Sequence, residues 1–314
     1  MTSTTTSALR RTWLAVVALG AALAMAMVST AAAEASPGHA KGDRPAHAEC
    51  NAGRGIPRNH LSIQLWTFNN AIQQHGIEHV IAELSAMGYR NVEPFNYHGL
   101  SAQGFKDLLD QHGMRAVSRH GSTSEAGWDT HLADAKLFRQ RWTGSGGFAS
   151  PGIGSYEDVL ATAETLNRLG QRSVRNGTGK VFGHNHAVEF ETKYVDADGD
   201  GELKSAWQLL VENTESRWVT FQLDIGWAEA AGEDSVALLR EFGDRIELLH
   251  VKDLVWNADG STSWVPVGDG ELDWPEVFRA AKGNVRLYVV EQDFPADAFV
   301  TAERSIDYLA CLSF

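Results

Sequence analysis

Positive charge is scarce in this sequence. Lys and Arg number 27 against 40 Asp and Glu, which gives the 314 residues a formal net charge of -13 at pH 7. Nucleic-acid binding depends on a basic footprint that neutralises phosphates, so nucleic acid is excluded as a natural partner. Cysteine is rarer still, with only Cys50 and Cys311 in the chain. The apolar run over residues 13–28 is short for a membrane span. No glycine-rich turn follows the first expected strand, so the nucleotide-binding signature of a doubly wound sheet is missing.

What is present at the N-terminus reads as an export signal over residues 1–33. Arg10 and Arg11 precede the apolar run, and small residues follow it to Ala31, Ala32 and Ala33, where cleavage is expected. The stretch from Arg10 to Leu14 also resembles a twin-arginine signal, which exports folded, sometimes metal-loaded proteins; a retained anchor is the competing reading. Residues 34–57 are rich in Gly, Ala, Pro, His and charge, lack apolar periodicity, and read as a flexible leader. The mature protein is therefore expected to be secreted or extracytoplasmic, with no stable membrane anchor after cleavage. Cys50 and Cys311 flank the folded domain, and barrel termini lie close together, so an exported chain can join them in a disulfide; two free thiols are the alternative.

Residues 58–314 are enough for one barrel-sized domain, and 43% hydrophobic with 21% charged residues is ordinary for a folded one. Strands are expected at 61–68, 91–95, 115–120, 141–143, 181–186, 220–224, 246–253 and 285–291. Helical spacing alternates with them at 77–87, 101–112, 129–139, 156–169, 205–213, 235–242, 274–281 and 296–309, with Ser101 as an N-cap, Gly88 and Gly113 as stops, and an insertion at 195–202. About eight βα units in one chain is the count of a single-domain α/β (β/α)8 TIM barrel.

Four of these strands end in the same way. IELLHVKD runs from apolar residues into His250, Lys252 and Asp253; VFGHNH ends in His184 and His186; TFQLD ends in Asp224; RLYVVEQD ends in Glu291 and Asp293. A buried parallel strand whose C-terminal end opens into a site has this form. His184 and His186, two apart, point to one side of their strand. A single strand histidine is usually a packed core residue, but His, Asp, His and Glu at successive strand ends suit a divalent metal such as Mn, Co, Zn or Fe, with Mg also admissible.

The segments GYRNVEPFNYHGLSA, VFGHNHAVEF, FQLDIGWAEAAG, LLHVKD, VGDGELDW and VVEQD resemble the sugar phosphate isomerase/epimerase family, the xylose-isomerase-like TIM barrels, over nearly everything from Leu61 onward. The resemblance implies a divalent metal held at the ends of strands five to eight by His184 or His186, Asp224, His250 and Glu291, chelating adjacent oxygens of a hydroxyketone sugar. Removing a proton beside a carbonyl creates an enediolate, whose charge a metal can stabilise while a carboxylate takes the proton; Glu291 is the candidate base. In many family members the fifth strand supplies a second glutamate. Here His184, Asn185 and His186 stand there, leaving Glu189 or a histidine as the second catalytic group. The same pattern resembles a branch that eliminates the aglycone of 3-keto-glycosides, and export favours an unphosphorylated sugar or glycoside as the small-molecule partner. A non-catalytic carbohydrate-binding barrel is the competing class. An apurinic-site endonuclease on the same fold is disfavoured by the acidic balance.

Glu93 and His120 fall at the ends of the second and third strands and are candidates for binding sugar hydroxyls, with a structural hydrogen bond as the alternative. Lys252 shares the face of His250 and is a candidate to polarise a carbonyl, with a surface salt bridge as the alternative. Trp66, Phe68 and Trp227 are candidates for an aromatic wall, against ordinary packing. Asp196, Asp198 and Asp200 are spaced like the first half of an EF-hand loop, but the twelfth position is Trp207, where a bidentate glutamate belongs. A Ca ion there competes with a solvated acidic turn.

Overall fold

The computed structural model describes residues 55–197, 199 and 201–314. The expected signal segment, most of the leader, and Cys50 lie outside the described residues. Eight parallel strands form one sheet: β1 (Leu61–Gln64), β2 (Asn91–Glu93), β3 (Arg115–Ala116), β4 (Trp142–Gly144), β5 (Lys180–His184), β6 (Val219–Asp224), β7 (Ile246–Val251) and β8 (Leu287–Val290). Their spatial order is β3-β2-β1-β8-β7-β6-β5-β4. The two ends of this sheet meet: His120 bridges Gly144, and Arg141 N and Gly121 N donate to Val117 O (3.2 Å) and Gly144 O (2.7 Å). The architecture is the TIM barrel expected from the strand count.

Helices pack outside the strands where the sequence periodicity places them. Ile77–Met87, Ser235–Phe242 and Trp274–Ala281 match their expected bounds. Ser101 Oγ accepts from Gly104 N, the N-cap role read from sequence, and Gly88 at φ +101° ends the preceding helix in the left-handed region. The helix Tyr156–Asn176 runs a further two turns past the expected residue 169. Gly170 does not stop it, because this glycine serves close approach: a Cβ there would lie 2.4 Å from Trp218 O.

Four local expectations are corrected. The first strand ends at Gln64 rather than 68, because Gln64 Oε1 accepts from Trp66 N and turns the chain into the 3-10 helix Leu65–Phe68. The expected insertion is flanked by a hairpin, Lys193–Val195 paired with Leu203–Ser205. The seventh strand stops at Val251, and Asp253–Trp256 forms a second hairpin with Thr262–Val265. Residues 55–57, expected in the leader, belong to the fold: Ile56 is buried in the core, and Gly55 lies against the carbonyls of Leu309 and Ala310 so closely that a Cβ would not fit.

Alternation along the strands divides the interior into two levels. Trp142, Phe182, Leu248, Leu287 and Val289 form a small apolar cluster inside the barrel, separate from the main core between strands and helices. Two residues further along β5 and β7, after Phe182 and Leu248, the inward positions become His184 and His250, and Asp224 of β6 pairs in register with His250. The apolar plug is thus overlaid by a polar layer at the C-terminal ends, where TIM-barrel sites are built.

Candidate metal centre at the C-terminal end of the barrel

Glu93 is the hub of the polar layer. It is fully buried at the end of β2, in register with Gln64 of β1. Its Oε1 accepts from Gln64 Nε2 at 2.9 Å, lies 3.0 Å from His120 Nε2 and meets His250 Nε2 at 2.8 Å. Its Oε2 accepts from Ser118 Oγ and from Gln222 Nε2 at 2.9 Å. Burial alone would raise this carboxyl, but His120 and His250 outweigh it and hold Glu93 well below the usual carboxylate range.

His250 is gripped from both sides. Nε2 faces Glu93, while Nδ1 lies 2.9 Å from Glu291 Oε2 and 3.6 Å from Asp224 Oδ2. Burial favours the neutral ring, yet Glu291, Asp224 and Glu93 together raise the imidazole well above its ordinary value. The fixed Glu93 contact at Nε2 leaves Nδ1 aimed at two carboxylates, the arrangement by which a carboxylate orients a histidine ligand.

Lys252 is no surface residue. It is 1% exposed, and its Nζ lies 3.0 Å from Asp224 Oδ2, 2.8 Å from Glu291 Oε2 and 2.9 Å from Asp293 Oδ2. Burial opposes its charge, but these three carboxylates hold the ammonium above the ordinary lysine range. Asp224 and Glu291 respond in the opposite sense: despite burial, Lys252 and then His250 lower both carboxyls. Asp293 stays raised, chiefly by burial.

His184 and His186 are depressed by burial, which leaves both rings neutral with lone pairs free for a cation. His184 reaches the ligand set, with Nε2 4.0 Å from Asp224 Oδ2 and its ring 4.5 Å from that of His250. His186 stands further out, its ring 5.0 Å from His184 and 5.7 Å from Trp227. Asn185 points away between them, exchanging hydrogen bonds with the backbone of Asp224 and so tying β5 to β6.

A cavity of about 440 Å3 opens above this layer, lined by Trp66, Phe95, His120, Gly146, His184, His186, Glu291 and Asp293. Trp66 and Phe95, packed edge-on, are the aromatic wall of the cavity, whereas Trp227, edge-on to Trp264 near Lys252, is absent from the lining. Phe68 is fully buried and does not line the cavity.

Glu189 is held elsewhere. Its Oε2 accepts from His186 N at 2.7 Å, bracing the turn after β5, and it is absent from the cavity lining. At the EF-hand-like loop, Asp196 accepts from Tyr156 OH and pairs with Lys204 Nζ at 2.9 Å, so an ammonium already holds that carboxylate; Asp198 and Asp200 lie outside the described residues. Cys311, last residue of the closing helix, is not a free thiol. Among the described residues, no helix is long and apolar enough to cross a membrane.

Sequence reading missed Gln222, Gln64, Ser118 and Trp264. Gln222 is the most consequential: Nε2 reaches Glu93 while Oε1 meets His120 Nε2 at 2.6 Å. Alternation would have found it, since it lies two residues before Asp224 on the same face.

The donor set fits a divalent cation. Asp224, His250 and Glu291 each offer one ligand atom, all within 4.8 Å of one another, and so do His120, His184 and His250. Two fully enclosed atoms, Asp224 Oδ2 and His184 Nδ1, lack a hydrogen-bond partner; Lys252 Nζ approaches the former to 3.0 Å without hydrogen-bonding alignment. Orphaned buried polar atoms of this kind call for a partner. Nitrogen and carboxylate oxygen together suit Mg, Mn, Co, Zn or Fe.

Known proteins share this architecture. The chain is 24% identical over 266 residues to an inosose dehydratase of Geobacillus thermodenitrificans (strain NG80-2), which covers 78% of this chain and 77% of that protein. A sugar phosphate isomerase/epimerase from Parabacteroides distasonis ATCC 8503 matches with a TM-score of 0.67 at 22% identity, over 85% of this chain and 97% of that chain. A xylose isomerase-like TIM barrel protein from Mycobacterium smegmatis in complex with magnesium matches with a TM-score of 0.56 at 14% identity, over 74% of this chain and 86% of that chain. Residues 81–291, a stretch reaching from the helix before β2 to Glu291 itself, match the xylose isomerase-like TIM barrel family, and the chain belongs to that family.

Proposed function

We propose that this protein is an exported, divalent-metal-dependent enzyme that removes a proton beside the carbonyl of an unphosphorylated keto-sugar, in an isomerisation or epimerisation. The observation that carries the reading is the convergence of Asp224, His250 and Glu291 on one point at the floor of a sugar-sized cavity. These residues, with His184 beside them, would hold the ion, which when bound supplies Lewis-acid polarisation of the carbonyl. Glu291, kept ionised by Lys252 and His250, is placed to accept the proton. His120, fixed by Glu93 and Gln222, presents its ring to the cavity and orients hydroxyls. Trp66 and Phe95 offer apolar faces to a sugar ring. The lining carries Glu291 and Asp293, which repel a phosphate dianion.

A second reading has its own support. The β5 end contributes neutral imidazoles, His184 and His186, across the cavity from Glu291. A neutral imidazole suits elimination, because the ring that takes the proton beside the carbonyl becomes the imidazolium that hands it to the departing oxygen, as in loss of the aglycone from a 3-keto-glycoside. The inosose dehydratase relative is named for an elimination.

The test is incubation with keto-sugars and 3-keto-glycosides in deuterated water with added Mn or Co, following exchange beside the carbonyl and aglycone release. Exchange without release supports isomerisation or epimerisation, and release supports elimination. No exchange and no release with any divalent ion would leave a carbohydrate-binding barrel.

A further inference from the structure

Lys252 sits on the oxygens that a divalent ion would need. Its Nζ is 3.0 Å from Asp224 Oδ2 and 2.8 Å from Glu291 Oε2, the two carboxylate oxygens that face His250 Nδ1. Its third partner, Asp293 Oδ2 at 2.9 Å, belongs to neither cluster of candidate ligands. The ammonium is shielded from solvent: the residue is 1% exposed, and the rings of Trp227 and Trp264 each stand 5.3 Å from Nζ. Those faces attract a cation, so Nζ is confined to a cage of three carboxylates and two indoles.

Two cations on the same pair of buried oxygens repel each other strongly, because charges a few Å apart in a protein interior are little screened. Without any cation, Asp224, Glu291 and Asp293 would be like charges in one buried space, which is equally unfavourable. We propose that Lys252 is the resident counter-ion of the metal-free site, and that a divalent ion displaces it from Asp224 and Glu291 onto Asp293. The inference rests on the metal-dependent reading above. It gives Asp293 a positioning role: this side chain receives the ammonium and keeps it inside the cage, beside the cavity, when the other two carboxylates take the ion.

A displaced counter-ion and a brace for the ligands make opposite predictions. Removing a brace loosens the carboxylates and weakens metal binding, whereas removing a competitor strengthens it. The measurement is calorimetric titration of Mn into the chelator-stripped full chain, with thermal melting in parallel. Lys252→Met should bind Mn on the order of 10-fold or more tightly than wild type, because one competing charge is gone. Its metal-free melting temperature should fall and recover on adding Mn. Asp293→Asn should bind Mn more weakly than wild type, because the displaced ammonium has lost its other partner.

Equal or weaker Mn binding by a folded Lys252→Met overturns the inference. Should that variant fail to fold, unchanged or tighter binding by Asp293→Asn overturns it instead. Equal affinity in all three proteins removes only the counter-ion role. Absence of Mn, Mg and Co binding in wild type and both variants removes the metal-dependent reading and this inference with it.

Discussion

Glu93→Gln isolates the contribution of the polar hub, because it keeps the side-chain shape and removes one charge. The partners on the Oε1 side, Gln64 Nε2, His120 Nε2 and His250 Nε2, are all nitrogens within 3.0 Å, so the amide oxygen of the variant must stay there. The amide NH2 is then forced to the Oε2 side, where it meets Ser118 Oγ and Gln222 Nε2 at 2.9 Å. Ser118 can turn its hydroxyl to accept. Gln222 cannot reverse its amide without giving up its 2.6 Å contact with His120, so one donor faces another. His250 at the same time loses the anion at Nε2.

Breaking a buried charge pair from one side costs about 3–5 kcal/mol. A protein of typical stability has roughly 5–15 kcal/mol in total, so the loss will show in a urea titration. Because Glu93 orients the ring whose Nδ1 faces Asp224 and Glu291, Mn affinity should fall roughly 10- to 100-fold in the same variant. A Glu93→Gln protein within about 1 kcal/mol of wild type and with unchanged Mn affinity would refute the hub, and Glu93 would be an incidental neighbour.

Three further outcomes are expected. His131 is buried and, through burial and Arg119, depressed to about 3. The unfolded chain then binds more protons between about pH 3 and 6.5, so this contribution is complete above 6.5 and is lost as pH falls, by about 2 kcal/mol between 6.5 and 5. His131→Gln should flatten that part of the stability profile in denaturant titrations, and equal acid sensitivity would dismiss it. Gly144→Ala should cost about 1–3 kcal/mol in the same assay, since its Cβ would lie 2.3 Å from Phe182 O and the β4–β5 pair must shift. Glu291→Gln should lose on the order of 100-fold or more in turnover while retaining weakened metal binding; near wild-type turnover at saturating Mn would move the base to a histidine of the β5 end.

The ends of β5 to β8 were legible because each combines a short apolar run with a polar stop, and the barrel places all such stops on one rim. Lys252 was legible in position but not in burial, since nothing local says that Asp293, 41 residues later, comes within 2.9 Å. Gln222 was hidden for the same reason: its partner Glu93 is 129 residues away, and a glutamine inside an alternating strand resembles any polar residue. Asp293 follows Glu291 by two, the same spacing that singled out Lys252 after His250, so the rule applied to one strand would have served for the other. The hairpin after β7 escaped notice because Asp253 reads as the end of the strand. In the fold it turns inward, and Asp253 Oδ2 accepts from Gly268 N and Trp274 Nε1 to anchor the next loop.

The histidines at the β5 end are consistent with the charge of the site. Glu93, Asp224, Glu291 and Asp293 are four carboxylates facing one ammonium, Lys252, and one imidazolium, His250, which leaves a formal charge of -2 around the candidate metal position. A divalent ion that takes His250 as a ligand releases the ring's proton, so ion binding brings the set from -2 to -1. A glutamate in place of His184 would add another buried negative charge to a layer that already commits a lysine to three carboxylates, and buried charge without a partner is strongly unfavourable. A neutral imidazole supplies a ligand atom at no electrostatic cost. The departure of the β5 end from the family pattern and the burial of Lys252 among the carboxylates are therefore parts of one charge balance, and a change at either position should alter what the other can tolerate.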